Sequence, residues 1–416
     1  MKIGVKQTNV INGTVNISGS KNIALPIICG ALLTKKKILI KNVPIIKDVL
    51  ILIDILKDIG CNIKFDKNKK QLEIKTKKIT STILSKKVKE LRGSYYLIGV
   101  LLSRYNKCII KYPGGCNFTS RPIDYHIDSF KQLGYETKQI NDLIIINKKN
   151  KFNNSITIKN KSVGASINTL FACALIEDRI LINKILLERE VLETIYFLRQ
   201  LGKEITILND DQIIISNKIN NESIEYIIPG DRIEAGSYML LASAIEKSNI
   251  KIINAPIKYM CEVIKTVKKL GVEVIVEKNE INIIKFNKIN NLSLEIFEYP
   301  SFPTDLQQIL TVVLLKSNGV SNIKDNIYPY RISQLSEIQK MNAIVEHHNN
   351  TIKITPSELN GTLVISKDLR CAFALLVAGL ISKGETLIDN FEIAFRGYEN
   401  IIEKMKELGI DINVYY

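Results

Sequence analysis

Gly114-Gly115-Cys116 sets a thiol in a loop of small residues, five positions before Arg121. Cations close to a thiol lower its pKa, so Cys116 could act as a general acid or a nucleophile. The alternative is an incidental loop thiol. Arg121-Pro122-Ile123-Asp124-Tyr125-His126 follows at once. Arg121 offers a planar fork that can clamp a phosphate through two hydrogen bonds. Asp124 could accept from a sugar or a base, unless the segment is only a surface turn. Asp305 stands in Pro303-Thr304-Asp305, at the first turn of an apolar helix. An acid there often serves only as a cap or dipole partner. Facing a substrate, it could take a proton from a hydroxyl group. Arg396, in Arg396-Gly397-Tyr398-Glu399 before the last helix, could bind an anion or pair with a carboxylate of another domain.

Metal chemistry is not expected. The seven cysteines are Cys29, Cys61, Cys108, Cys116, Cys173, Cys261 and Cys371, an odd number without a C-x-x-C pair. Cys29, Cys173 and Cys371 lie in apolar runs and read as small core residues. His347 and His348 stand beside Asn349-Asn350 in an expected turn. An odd cysteine count in a large chain fits a reducing cytoplasm.

The elements that must hold these residues repeat six times. An apolar residue, two mostly polar ones, Leu or its equivalent and then Gly or Asn recur, with the last position at 60, 134, 202, 271, 342 and 409. Gly or Asn tolerates the left-handed conformation that closes a helix. The residues after it alternate or run apolar like a strand, and polar tips such as Lys278-Asn279 turn the chain back. A second helix per unit begins with small or charged residues and becomes apolar nearly all round, which predicts burial. Its six starts are Ser18-Gly19-Ser20-Lys21-Asn22, Arg92-Gly93-Ser94, Ser162-Val163-Gly164-Ala165-Ser166, Arg232-Ile233-Glu234, Phe302-Pro303-Thr304-Asp305 and Asp368-Leu369-Arg370. Helix N-termini carry partial positive charge, so six starts aimed at common ground would form an anion-binding centre. The plainer reading is that Gly and Ser merely permit caps and close packing.

Six units of about 70 residues predict two α/β domains of three units each. Residues 21–229 should form the first domain, carrying the Cys116 loop. Residues 1–20 and 230–416 should form the second, with the active site in the cleft between them.

The chain has 416 residues, 46% of them apolar and 24% charged, the balance of a folded globular protein. Its densest apolar stretch, 371–381, is about half of a bilayer span. No secretory leader is evident in its opening residues. A formal charge of +16 has three readings: a proteome-wide Lys/Ile/Asn bias, an anionic small molecule, or nucleic acid. No recognition helix or RNP-type aromatic pattern accompanies the lysines.

Together these motifs resemble the UDP-N-acetylglucosamine enolpyruvyl transferases of the enolpyruvate transferase family, over essentially the whole chain. The motifs that carry the likeness are Ser18-Gly-Ser-Lys-Asn22, Pro113-Gly-Gly-Cys116, Arg121-Pro-Ile-Asp-Tyr-His126, Ser162-Val-Gly-Ala165, Pro229-Gly-Asp-Arg232, Pro303-Thr-Asp305, Asp368-Leu-Arg370 and Arg396-Gly-Tyr398. The resemblance implies two inside-out α/β barrel domains, each of three repeated units with buried helices and outer sheets. It implies transfer of the enolpyruvyl group of phosphoenolpyruvate to the 3-hydroxyl of UDP-N-acetylglucosamine, with release of phosphate, by addition and elimination. This is the first committed step of peptidoglycan synthesis, in the cytoplasm, with no cofactor, metal, nucleic acid or membrane partner. Lys21, Arg121 and Arg396 match the positions that hold phosphoenolpyruvate. Cys116 matches the proton donor, which can also become linked to phosphoenolpyruvate. Asp305 matches the group that orients and deprotonates the hydroxyl, and Asp368 an acid near the reacting carbon. Asn22, Arg92, Arg121, Pro122, Ile123, Asp124, Tyr125, Asn160, Ser162, Val163, Asp305, Ile327 and Arg331 match the remaining substrate contacts. The loop of Cys116 is expected to close when the nucleotide sugar binds.

Departures from the family pattern stand beside these motifs. Pro329-Tyr330 replace an acid and Asn before Arg331, Phe395 replaces an acid before Arg396, Asn160 is followed by Lys161, and Arg189 replaces Pro between Glu188 and Glu190. The competing readings are the enolpyruvyl transferase that acts on shikimate 3-phosphate, RNA 3′-terminal phosphate cyclase, a basic nucleic-acid-binding protein and an inactive paralogue. The Cys116 loop and the 121–126 segment argue against the first, and the six repeats with the Cys116 loop argue against the second.

Overall fold

The computed structural model describes residues 1–114, 123–217 and 224–415. Its α-helices are α1 (Lys21–Gly30), α2 (Lys47–Asp58), α3 (Tyr96–Tyr105), α4 (Asp124–Gln132), α5 (Val163–Cys173), α6 (Arg189–Gln200), α7 (Arg232–Ala244), α8 (Cys261–Lys269), α9 (Gln307–Leu314), α10 (Leu335–Lys340), α11 (Leu369–Leu380) and α12 (Ile401–Glu407).

Odd and even helices differ as the sequence pattern requires. The six expected apolar starts lead into the odd-numbered helices. Every residue of α7, α9 and α11 is buried. Two of these starts are drawn into 3-10 turns, Arg92–Tyr95 before α3 and Thr304–Leu306 before α9. The even-numbered helices bury only one face; α8 buries Val263, Thr266 and Val267 and leaves its lysines outside. Each even helix stops at the repeated position. Gly60, Gly134, Gly202, Gly271, Asn342 and Gly409 all have positive φ, between 70° and 106°. A Cβ crowds the backbone there, which restricts the position to Gly or Asn.

A hairpin follows each of the first five stops, and the single strand Ile412–Tyr415 follows Gly409. Among the described residues the strands form six four-stranded sheets on one plan, with one parallel pair at an edge and two antiparallel pairs beyond it. In one sheet Val10–Asn16 runs parallel to Lys247–Ile253, which pairs antiparallel with Glu280–Lys285, itself paired with Glu273–Glu277. Ile250, Ile252, Ile281 and Ile283 point inward and are fully buried, so the two-residue period of the strands is satisfied on one face. In another sheet Lys2–Lys6 lies between Glu385–Asp389 and Ile412–Tyr415. His347 and His348 end the strand Ile344–His348, so they are not in the turn that the sequence led us to expect; Asn349, at φ 54°, and Asn350 make it.

Contacts divide the chain into two compact units. One holds residues 1–18 and 230–415, with α7, α9 and α11 inside three sheets and a continuous apolar core. The other holds the described residues of 19–229, with α1, α3 and α5 inside three sheets and a core of its own. Helices lie within and sheets without in both, an inside-out α/β arrangement. Two details of packing bear on stability. Gly99 of α3 touches α5 so closely that a Cβ would sit 2.3 Å from the Asn168 carbonyl oxygen. In the other unit a buried ion pair joins α7 to α12. Lys404 Nζ donates to Glu234 Oε1 at 2.5 Å and to Ser18 Oγ at 2.8 Å, and the Ser18 amide donates to Glu234 Oε2 at 2.8 Å.

Candidate active site

In the unit of residues 19–229, Lys21 opens α1 and its Nζ lies 2.6 Å from Asp48 Oδ2. Asp48 sits in the first turn of α2 and is almost fully buried, so it fixes the ammonium group. Asn22 is half-buried beside it. Arg92 starts the turn into α3, with its guanidinium 5.7 Å from the centre of the Tyr95 ring. The Tyr95 ring meets His126 of α4 edge to face. Asn168 of α5 holds this corner together: its Oδ1 accepts from the Gly99 amide at 2.8 Å, and its Nδ2 donates to the Tyr95 carbonyl at 2.9 Å. The same Nδ2 is 3.0 Å from His126 Nδ1. That nitrogen must therefore accept, which puts the proton of the neutral ring on Nε2. Burial, and after it the charge of Arg92, pushes the imidazole down to about 3, so His126 is a neutral structural group.

The other expected residues of this unit are placed as follows. Ile123 is buried, Asp124 is exposed at the start of α4, and Tyr125 packs partly against the core. Ser162 caps α5, accepting from the Ala165 amide at 3.3 Å, with Val163 as the first helical residue. Asn160 is exposed. Cys116, Arg121 and Pro122 lie outside the described residues.

In the unit of residues 1–18 and 230–415 the arrangement is tighter. Asp305 lies in the 3-10 turn before α9 and is about one-third exposed. Its Oδ1 receives Arg331 Nη1 at 3.1 Å and Arg370 Nε at 3.2 Å, and both arginines are buried. Two guanidiniums thus hold one oxygen of a group able to accept a proton, and Arg370 also feels the charge of Asp231. Arg331 also lies over the Tyr328 ring and Arg370 over the Tyr398 ring. Asp368 caps α11, with Oδ1 accepting from the Arg370 amide at 2.9 Å and the Cys371 amide at 3.1 Å. Its Oδ2 accepts from Ser333 Oγ and from Gln308 Nε2. Asp231 caps α7 in the same way, through the Ile233 and Glu234 amides. Two of this unit's three apolar helices thus begin on their own carboxylate. The starts of α7 and α11 are therefore satisfied by carboxylates and not left open to an anion. Arg396 ends the 3-10 segment Phe391–Arg396, half-buried, and Ile327 is half-buried in the loop after Ser321–Asp325. Among the departures, Tyr330 is exposed, Phe395 packs on the core and Arg189 is fully buried at the start of α6.

Sequence reasoning singled out Asp305, Asp368 and Arg331, and quoted Arg370 without giving it a task. It missed Asp48, Asp325 and Gln308. Asp48 had a signal, an acid in the first turn of a helix after Pro44. The pairings of Asp305 across 26 and 65 positions had none.

The family model for EPSP synthase (3-phosphoshikimate 1-carboxyvinyltransferase) matches residues 5–405. The chain is 38% identical over 412 residues to UDP-N-acetylglucosamine 1-carboxyvinyltransferase 2 of Staphylococcus epidermidis, covering 99% of this chain and 98% of that one. The protein of the same name from Staphylococcus aureus is 37% identical over the same shares. Among solved structures, the enolpyruvyl transferase NikO from Streptomyces tendae superposes with a TM-score of 0.90 at 19% identity, over 99% of this chain and 98% of that one. EPSP synthase from Acinetobacter baumannii superposes with a TM-score of 0.75 at 16% identity, over the whole of both chains. These two likenesses speak to the fold, which is the inside-out α/β architecture that the family resemblance implied. The two staphylococcal relatives, both UDP-N-acetylglucosamine 1-carboxyvinyltransferases, and the matching family model place the chain in the enolpyruvate transferase family.

Proposed function

We propose that the protein transfers the enolpyruvyl group of phosphoenolpyruvate to the 3-hydroxyl of UDP-N-acetylglucosamine in the cytoplasm, the first committed step of peptidoglycan synthesis. The observation that carries the chemistry is Asp305, a partly exposed carboxylate held by two buried guanidiniums. Full-length likeness to enzymes named for this acceptor supports the choice of substrate. No helix among the described residues is long and apolar enough to cross a membrane.

The reaction has two halves. The sugar oxygen adds to C2 of phosphoenolpyruvate as its proton passes to Asp305, and a proton adds at the methylene carbon. That carbon then loses a proton as the phosphate departs with the electrons of its C–O bond. Asp305 is the acceptor of the hydroxyl proton, oriented by Arg331 and Arg370. Cys116 is the donor at the methylene carbon, and Lys21, Arg121 and Arg396 hold the phosphate and carboxylate. Asp368, fixed by the α11 amides, is the acid beside the reacting carbon. Asn22, Arg92, Asp124, Tyr125, Asn160, Ser162, Val163 and Ile327 serve the nucleotide sugar. Positive charge around the leaving phosphate supplies the electrostatic part of catalysis. The working domains in this reading are residues 21–229 and residues 1–20 with 230–416.

The test is phosphate release from phosphoenolpyruvate, with UDP-N-acetylglucosamine or shikimate 3-phosphate as acceptor. Cys116→Ala and Asp305→Ala run alongside. Release with UDP-N-acetylglucosamine alone, abolished in Asp305→Ala, is the expected result. Release with shikimate 3-phosphate alone overturns the acceptor, and none with either from folded protein overturns the activity.

A further inference from the structure

Asp325 is a buried carboxylate at the end of the strand Ser321–Asp325, and the chemistry above gives it no task. The sheet fixes its backbone: it pairs in parallel register with Ile296, and its amide donates to the Asn350 carbonyl at 2.8 Å. Its two oxygens then reach in different directions. Oδ2 accepts from the Thr304 hydroxyl at 2.7 Å, and Thr304 immediately precedes Asp305. Oδ1 accepts from the amides of Ile327 at 2.8 Å and Tyr328 at 2.9 Å. The Tyr328 ring lies against the Arg331 guanidinium, and Arg331 returns to Asp305. The contacts close a ring that runs from Asp325 through Thr304 to Asp305, and back through Arg331 and Tyr328.

We propose that Asp325 is a positioning residue for the acceptor, setting the spacing between Asp305 and the loop of Ile327. The proposal rests on the roles given above to Asp305 and Ile327, which both serve the acceptor rather than phosphoenolpyruvate. A carboxylate can take the Thr304 hydroxyl on one oxygen and two amides on the other. A carboxamide can still accept the two amides on its oxygen, but it meets the Thr304 hydroxyl only with a neutral N–H in place of a charged acceptor, so the bond that ties Thr304 to the ring is weakened.

Asp325→Asn is expected to raise the acceptor KM and lower kcat, each about tenfold, the order of one lost charge-assisted hydrogen bond, with the KM for phosphoenolpyruvate unchanged. Thr304→Val should reproduce the split and Thr304→Ser should restore it. The two losses should combine to less than their product, because both variants break the same ring. A merely structural role would lower the melting temperature and the active fraction and leave both KM values at wild type, and that outcome overturns the proposal. Wild-type enzyme that accepts only shikimate 3-phosphate would sink the function proposed above, while the split is read on that acceptor. If wild type releases no phosphate, amide hydrogen exchange decides. Faster exchange at Leu306, Ile327 and Tyr328 together in Asp325→Asn supports the ring, and unchanged protection refutes it.

Discussion

Lys404→Met removes an ammonium group and keeps most of the length of its stem. Glu234 then remains as a buried carboxylate whose side chain is 2% exposed, held by the Ser18 amide. Breaking a buried ion pair from one side costs about 3–5 kcal/mol, because the orphaned charge stays out of water. Both partners are at least nine-tenths buried, so little of that figure is lost to screening. The pH dependence follows from Glu234. Burial already holds its carboxyl above the ordinary range, and Lys404 opposes that shift. Without Lys404 the carboxyl rises further. A carboxyl raised in the folded state contributes stability that is fully present below the unfolded-state value and is lost as pH rises through the folded one. The deficit of the variant is therefore largest at about pH 8 and shrinks towards about pH 5.5, by at most about 1.4 kcal/mol per pH unit. Pulse proteolysis across a urea series reads it, with fragments assigned by mass to residues 1–18 and 230–415, since two units need not unfold together. Glu234→Gln combined with Lys404→Met should recover most of the loss. A deficit below about 1 kcal/mol, or one equal at both pH values, refutes the reasoning.

Gly99→Ala should destabilise the unit of residues 19–229 by about 1–3 kcal/mol or more, because the new Cβ meets a backbone carbonyl rather than a yielding side chain; thermal melting checks it. His126, held neutral and pushed down to about 3, contributes stability that is present above about pH 6.5 and lost as pH falls towards about 3; His126→Gln should flatten that part of the stability profile. Alkylation of native protein at about pH 8, mapped by mass spectrometry, should label Cys261, which is exposed. It should spare Cys29, Cys61, Cys108, Cys173 and Cys371, which are buried with thiols pushed up by desolvation, Cys61 and Cys371 to about 12.

What was legible in the sequence was local. The repeated Gly or Asn had a steric cause, and all six positions adopt the conformation that cause requires. The apolar starts were legible because burial all round leaves no polar stripe. Strand partners were not legible. Nothing in Lys2–Lys6 announces that it pairs with residues near 387 and 414, since every sheet uses the same alternation of isoleucines. At the candidate site, residue types pointed to Asp305 and Asp368. The partners that orient them, Arg370, Ser333 and Gln308, come from other elements of the same unit. Asp325 was invisible because its work is done by a carboxylate reaching two backbone amides and one hydroxyl, a pattern that only the folded loop creates.

The strand Lys2–Lys6 has a consequence for synthesis. Its partners at Glu385–Asp389 and Ile412–Tyr415 are made about 380–410 residues later. At about 5–20 residues per second it waits roughly 20–80 s with both edges unpaired. The described residues of 19–229 form a unit whose sequence is complete well before those partners appear, so it can fold within that interval. A nascent chain therefore carries a folded unit beside an internal strand still unpaired on both edges, a natural client for a chaperone that shields extended segments. Arrival of Glu385–Asp389 and Ile412–Tyr415 then pairs both edges and ends the exposure.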